Sequence, residues 1–173
     1  MEIGYGILLE DKAFNYIRGL ELELFENLGL EAGLRQPPHI TIKPPFEVSE
    51  LQPHFEYLER LARETEPFEI SLKGFNSFGE KVLYLDVLQN EKLFDLNKKI
   101  TSDLSTNVDE MIFHATLAYN DLNQESFKKA YSILMQKTLP DFKFVFKKIG
   151  LFYRLSNDAG WIIIKKANLN QTI

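Results

Sequence analysis

The chain has 173 residues, 45% of them apolar and 26% charged, with a net charge of −5; this composition suits a globular chain with one substantial core and excludes disordered and fibrous classes. It contains no cysteine, which excludes disulfides, thiolate metal sites and a cysteine nucleophile. No apolar run approaches the length needed to cross a bilayer, and Met1-Glu2-Ile3-Gly4 lacks the basic segment of a signal peptide, so a cytoplasmic protein built as one bilobal domain, residues 1–173, is expected.

In chain order, Glu2 to Leu9 reads as a strand. A helix follows, opened by Asp11 as N-cap, with Phe14, Ile17, Leu24 and Leu28 as its apolar stripe and Gly29 near its end. Pro38 to Pro44 is an apolar, β-branched run of strand length. Ser49-Glu50-Leu51-Gln52 has the form of a capping box, and Leu51, Phe55, Leu58 and Ala62 recur at helical spacing until Pro67, with Pro53 tolerated in the first turn. Phe68 to Phe75 and Lys81 to Leu88 form a predicted hairpin around Asn76 to Glu80.

The second half repeats this plan. Asn90 caps a helix carrying Leu93, Leu96, Ile100 and Leu104, Met111 to Tyr119 reads as a strand, and Asn123 caps a helix with Phe127, Tyr131 and Leu134 on one stripe. Phe142, Phe144 and Phe146 alternate with polar or smaller residues in a half-buried strand. Gly150 to Leu155 and Trp161 to Lys166 make a second hairpin around Ser156 to Gly160. The expected class is therefore α+β: two pseudo-symmetric lobes, each an antiparallel sheet with flanking helices, around a central groove. Because no low-complexity linker separates the halves, they should share an interface.

Two of the three histidines lie in one repeated frame, His39-Ile40-Thr41-Ile42 and His114-Ala115-Thr116-Leu117. On a strand, side chains alternate between faces, so each His shares a face with its Thr while the aliphatic residues take the other. Each segment then buries its aliphatics in a core and presents an imidazole beside a hydroxyl. Two imidazoles across one groove suit displacement at phosphorus, one taking a proton from the attacking oxygen and the other giving one to the departing oxygen. With an ordinary pKa of about 6.5, histidine populates both required states near neutrality. The threonine hydroxyls are placed to donate to non-bridging phosphoryl oxygens.

These two His-x-Thr-hydrophobic copies, their spacing and the chain length resemble the two-histidine phosphoesterases, the superfamily of 2′–5′ RNA ligase-like proteins and 2′,3′-cyclic phosphodiesterases. The stretch Pro37-Pro38-His39-Ile40-Thr41-Ile42-Lys43-Pro44-Pro45-Phe46 looks most like a bacterial branch of it. The resemblance implies a duplicated fold over nearly the whole chain, His39 and His114 as the acid/base pair and Thr41 and Thr116 as phosphate-holding hydroxyls. It also implies one ligand contact from the late strand at Tyr153 or Arg154, of which only one can face the groove. The implied activity is hydrolysis of a cyclic phosphodiester or a 2′–5′ linkage in a nucleotide or RNA end, with neither cofactor nor metal.

Beside these, Lys43 shares the parity of His39 and Thr41, and Arg35 lies four residues before His39, so both are candidate substrate contacts. Tyr5 and Trp161 are aromatics that either stack on a base or belong to the core. His54, with no Thr partner, is expected at the surface. Residues 1–122 carry a charge of −11 and residues 123–173 a charge of +6, so an extended duplex footprint is not expected. Lys143, Lys147, Lys148, Lys165 and Lys166 read either as the wet face of amphipathic strands or as a phosphate-attracting surface. Two other functional classes compete: a pocket that binds nucleotides or RNA ends with little turnover, and a metal-dependent hydrolase, which lacks further ligands at metal-binding spacing.

Overall fold

The computed structural model describes residues 1–107, 110–139, 142–156 and 159–170. Along these run β1 (Glu2–Leu8), α1 (Asp11–Leu28), one 3-10 turn (Gly33–Arg35), β2 (His39–Glu47), α2 (Gln52–Glu64), β3 (Phe68–Phe78), β4 (Val82–Val87), α3 (Glu91–Asp103), β5 (His114–Tyr119), α4 (Gln124–Met135), β6 (Lys143–Phe146), β7 (Lys148–Arg154) and β8 (Ile162–Asn168). Each predicted helix and strand is present, with shifted ends. β3 continues to Phe78 where a turn was expected, and β5 begins at His114, while the preceding Phe113 still accepts from the Val87 amide of β4. Part of the expected turn at 156–160, residues 157 and 158, lies outside the described residues.

Local chemistry accounts for two of the four helix starts. The Asn90 side chain accepts from the Lys92 amide, and Asn123 exchanges hydrogen bonds with Ser126 in a capping box, so each satisfies amides the first turn leaves unpaired. The other two expectations are corrected. Glu10, not Asp11, precedes α1, and its carboxylate pairs with Lys148 rather than capping. α2 follows Leu51 without a side-chain cap, so Ser49 does not form the capping box; Pro53 does occupy the first turn.

The strands form one sheet in the order β6-β3-β4-β5-β2-β1-β7-β8, antiparallel throughout. Its two four-stranded lobes, β2-β1-β7-β8 and β5-β4-β3-β6, meet at the two histidine strands. The lobes are not the halves of the chain. The hairpin β3–β4 sits beside β5 and the hairpin β7–β8 beside β1, so each half lends its hairpin to the other lobe. Periodicity assigns a face to every residue, but strand order is set by packing between segments distant in sequence, which no local pattern encodes.

Helices cross in the same way, α1 packing against β5 and α3 against β2, while α2 covers β7 and β8. Between them and the sheet lie Ile7, Ile17, Leu24, Ile40, Ile42, Leu58, Leu93, Leu117 and Leu151, all buried; each contributes on the order of 1.5–3 kcal/mol. Four ion pairs, Glu2–Arg154, Glu10–Lys148, Glu23–Lys137 and Glu59–Lys165, join the acidic and basic regions of the chain. Much of the C-terminal positive charge is thereby matched within the fold. Among the described residues, no helix is long and apolar enough to cross a membrane.

β2 and β5 pair at one position, Ile40 opposite Ala115. Past it, the buried Asn97 of α3 donates to the Ile42 carbonyl at 2.8 Å, a contact that ties α3 to the histidine strand. Asn97→Ala should destabilise the protein by about 1–3 kcal/mol, the cost of leaving a buried carbonyl unpaired. Urea unfolding should show a lower midpoint at an unchanged slope; an unchanged midpoint would remove Asn97 from this role.

Candidate active site

The Ile40–Ala115 pair sets the two motif strands antiparallel, so His39 and Thr41 flank it on one strand and His114 and Thr116 on the other. Ile40, Ile42, Ala115 and Leu117 are buried on the helix side. The two histidines and two threonines form the floor of a cleft of about 210 Å³, which Gln36, Tyr119, Phe152 and Trp161 help to wall. The alternation read from the sequence thus brings all four motif residues to one cavity.

Each imidazole is oriented by its own strand. His39 Nδ1 lies 2.9 Å from the Pro37 carbonyl oxygen and His114 Nδ1 lies 2.6 Å from that of Ile112. A carbonyl only accepts, so Nδ1 carries a hydrogen in both rings and Nε2 is the nitrogen left to take or give a proton. The His39 ring packs on Phe152 at 4.3 Å between centroids; His114 packs on Phe78 at 5.0 Å and Tyr84 at 4.8 Å. Glycine at position 6 is part of this packing. A Cβ there would lie 2.8 Å from Phe152 and 3.3 Å from the His39 ring.

Burial pushes the His39 pKa down to about 4, against the hydrogen bond to Pro37, and the nearby His114 adds to the depression. Burial also lowers the His114 pKa, but there the hydrogen bond to Ile112 and the Asp86 carboxylate act in the opposite direction. Burial therefore favours the neutral form of both rings, and at His114 alone a carboxylate, that of Asp86, opposes it. Neither threonine hydroxyl is engaged by another protein group among the described residues. Nor do three His, Asp or Glu side chains there come together as a metal-binding cluster.

The remaining candidates divide. Lys43 lines the cleft as its parity predicts but is 2% exposed, not a solvated strand end, and its ammonium donates to the Asn107 carbonyl at 2.8 Å. Arg35 is exposed, pairs with Glu31 and does not line the cleft. On β7, Phe152 takes the cleft position. Tyr153 faces the core, while Arg154 pairs with Glu2 and lies 4.7 Å from the centre of the Trp161 ring. The charges of Arg154 and Arg35 do reach the far end of the cleft, where they oppose the burial that raises the Tyr119 pKa.

Tyr5 is buried, and its hydroxyl hydrogen-bonds His54 Nδ1 at 3.1 Å. His54 is accordingly half-buried rather than a surface residue, held between Tyr5 and the edge of Phe46. Sequence reasoning missed Phe152, Phe78, Tyr84, Tyr119, Gln36 and Asp86. Strand parity could have found Phe152 once Tyr153 faced the core; Tyr84 and Asp86 needed the β4–β5 register.

With this geometry the comparisons agree. The sequence profile of the 2′-5′ RNA ligase superfamily matches residues 9–158. A Geobacillus thermodenitrificans protein is 33% identical over 133 residues, 73% of this chain and 75% of its own, and a Geobacillus kaustophilus protein is 32% identical over the same shares; both carry a provisional phosphoesterase name. The TT0787 protein of Thermus thermophilus shares the fold at a TM-score of 0.69 and 13% identity over the whole of both chains. Escherichia coli LigT in its apo form does so at 0.62 and 17% over 98% of each. LigT has also been crystallised with 3′-AMP, with phosphate and with ATP.

A sheet folded around two facing His-x-Thr strands defines the two-histidine phosphoesterase class. Within it, the chain belongs to the 2′-5′ RNA ligase superfamily.

The depressed His39 pKa has a thermodynamic consequence. Between about pH 4 and pH 6.5 the unfolded chain binds a proton at His39 that the folded chain refuses, so stability rises with pH there and falls on acidification. His39→Gln removes this pH dependence. Urea midpoints at pH 5 and pH 7 should differ less in the variant than in the native protein; equal differences would show that His39 titrates normally.

Proposed function

We propose that this protein is a metal-independent phosphodiesterase acting on a cyclic phosphodiester or a 2′–5′ linkage of a nucleotide or RNA end, working as one bilobal unit over residues 1–173. The observation that carries this reading is that the histidine and the threonine of both motifs line one cleft. A phosphoryl group seated there meets an imidazole Nε2 from each lobe, one to take a proton and one to give it, and a hydroxyl from each strand. One histidine takes the proton of the attacking oxygen as the new O–P bond forms, and the other protonates the oxygen that departs. Thr41 and Thr116 donate to the non-bridging oxygens, where charge grows in the transition state.

The walls fit a nucleotide better than a bare phosphate. Trp161, Tyr119 and Phe152 offer aromatic surface along the cleft, and the LigT complexes with 3′-AMP and ATP support a nucleotide ligand. The matched ion pairs across the surface argue against an extended nucleic-acid footprint.

Replacing His39 or His114 by Ala should lower kcat/KM on a nucleoside 2′,3′-cyclic phosphate by about 100-fold or more, with turnover by the native protein unaffected by excess chelator. Full activity in either variant, or loss to chelator alone, contradicts the mechanism. Thr41→Val and Thr116→Val keep the side-chain shape and remove the donor. Each should cost about 1–4 kcal/mol of transition-state stabilisation, with thermal melts little changed because the hydroxyls have no protein partner among the described residues. Undiminished kcat/KM in both would reduce the threonines to strand formers.

A further inference from the structure

The two motifs are nearly interchangeable, yet the chemistry needs one histidine to take a proton and the other to give one. The pseudo-symmetry that exchanges Ile40 with Ala115 also exchanges β1 with β4, which flank the histidine strands. In one lobe Gly6 lies opposite Thr41 and Leu8 opposite His39. In the other, Tyr84 lies opposite Thr116 and Asp86 opposite His114. The symmetry is therefore broken at the position directly across from each histidine, where one lobe has a methyl-rich side chain and the other a carboxylate.

We infer that Asp86 is the positioning residue that divides the labour, making His114 the proton donor to the leaving oxygen and leaving His39, opposite Leu8, as the base. The inference rests on the two-histidine reading above. Directly opposed residues of an antiparallel pair project to the same face with Cβ atoms roughly 4.5–5.5 Å apart, close enough for a carboxylate to stabilise an imidazolium. Asp86 makes no hydrogen bond to His114, whose Nδ1 is committed to Ile112, so it acts through its charge. The Asn76 amide donates to the Asp86 carboxylate at 3.2 Å and holds it in place. The other groups facing His114 do not replace it: Tyr84 and Phe78 are neutral rings, and His39 brings no negative charge. Lys73, which shares a surface groove with Asp86, and Lys43, in the cleft, are cations.

In the resulting step, which begins with His39 neutral and His114 as the imidazolium, His39 Nε2 takes the proton of the attacking oxygen while that oxygen bonds to phosphorus. The phosphorus–oxygen bond on the far side breaks, and its electron pair takes the proton from His114 Nε2. The cycle ends with His39 protonated and His114 neutral, and exchange with solvent restores both. The assignment follows from surroundings, since the pKa of His39 is depressed by burial with no carboxylate to oppose it, whereas that of His114 is supported by Asp86.

Two measurements test this. Imidazole NMR titrations of the whole protein should give His114 a higher pKa than His39, and Asp86→Asn should lower the His114 value by on the order of half a pH unit or more while His39 moves little. Leu8→Asp, which places a carboxylate in the symmetry-related position, should raise His39 and covers the case in which the Asp86 variant fails to fold. An unmoved His114 in Asp86→Asn, or an unmoved His39 in Leu8→Asp, overturns the inference. For the direction of transfer, a nucleoside 3′-(4-nitrophenyl phosphate) releases a leaving group that needs no proton. On it His114→Ala should keep its rate within about 10-fold of the native enzyme, and His39→Ala should lose about 100-fold or more. Rescue of His39→Ala instead reverses the assignment. If the native protein cleaves no phosphodiester, the proposed function fails, while the titrations still decide what Asp86 does.

Discussion

The cleft exists because two lobes of one sheet are joined through a single residue pair. At Ile40 and Ala115 the histidine strands touch with both side chains buried, and beyond that point the ladder stops. Continued pairing would close the sheet and draw the imidazoles into an unbroken surface; no pairing would leave the two motifs without a common register. A ladder that ends leaves backbone groups to be satisfied in other ways. Asn97 takes the Ile42 carbonyl, and the Lys43 ammonium takes that of Asn107 in the segment leading toward His114. On the opposite strand, Gly33 lies against the Leu117 carbonyl so closely that a Cβ would stand 2.3 Å from the oxygen. The crossed helices, α1 on β5 and α3 on β2, brace the same joint from behind.

From that joint, the chemistry is set by strand geometry and by commitments of the backbone. Because side chains alternate, one His-x-Thr copy contributes both an imidazole and a hydroxyl to the wet face without taking a polar group into the core. Each ring is then fixed by a carbonyl two residues upstream. For His39 that carbonyl belongs to Pro37, whose conformation is restricted because Pro38 follows it, and Arg18 donates to the neighbouring Gln36 carbonyl at 2.7 Å. For His114 it belongs to Ile112, next to the buried Phe113 whose own carbonyl pairs with β4. The rings are thus oriented before any ligand arrives, which lowers the cost of reaching a reactive geometry.

The face of each motif residue was legible in the sequence because period-two alternation is local, and so were the Asn90 and Asn123 caps, whose chemistry lies within three residues of each cap. The exchange of hairpins between lobes was not, since nothing near Phe68 or Gly150 in the chain states which strand it will lie beside. That gap hid the rest of the site: Phe78, Tyr84, Asp86 and Phe152 reach the histidines only through strand neighbours. It also hid the partners of three side chains. Arg35 is drawn to Glu31, Lys43 is buried against Asn107, and His54 turns inward to Tyr5, each decided by a partner that spacing from His39 does not reveal.

In the proposed complex one phosphoryl group is held at once by both motifs. A crystal structure with vanadate and a nucleoside, which mimics the five-coordinate transition state, examines it directly. The vanadium should sit above the Ile40–Ala115 pair with one oxygen within hydrogen-bond reach, about 2.6–3.2 Å, of each histidine Nε2, and with the Thr41 and Thr116 hydroxyls on the remaining equatorial oxygens. Vanadate bound outside the cleft, or within it but touching one motif alone, would contradict the account.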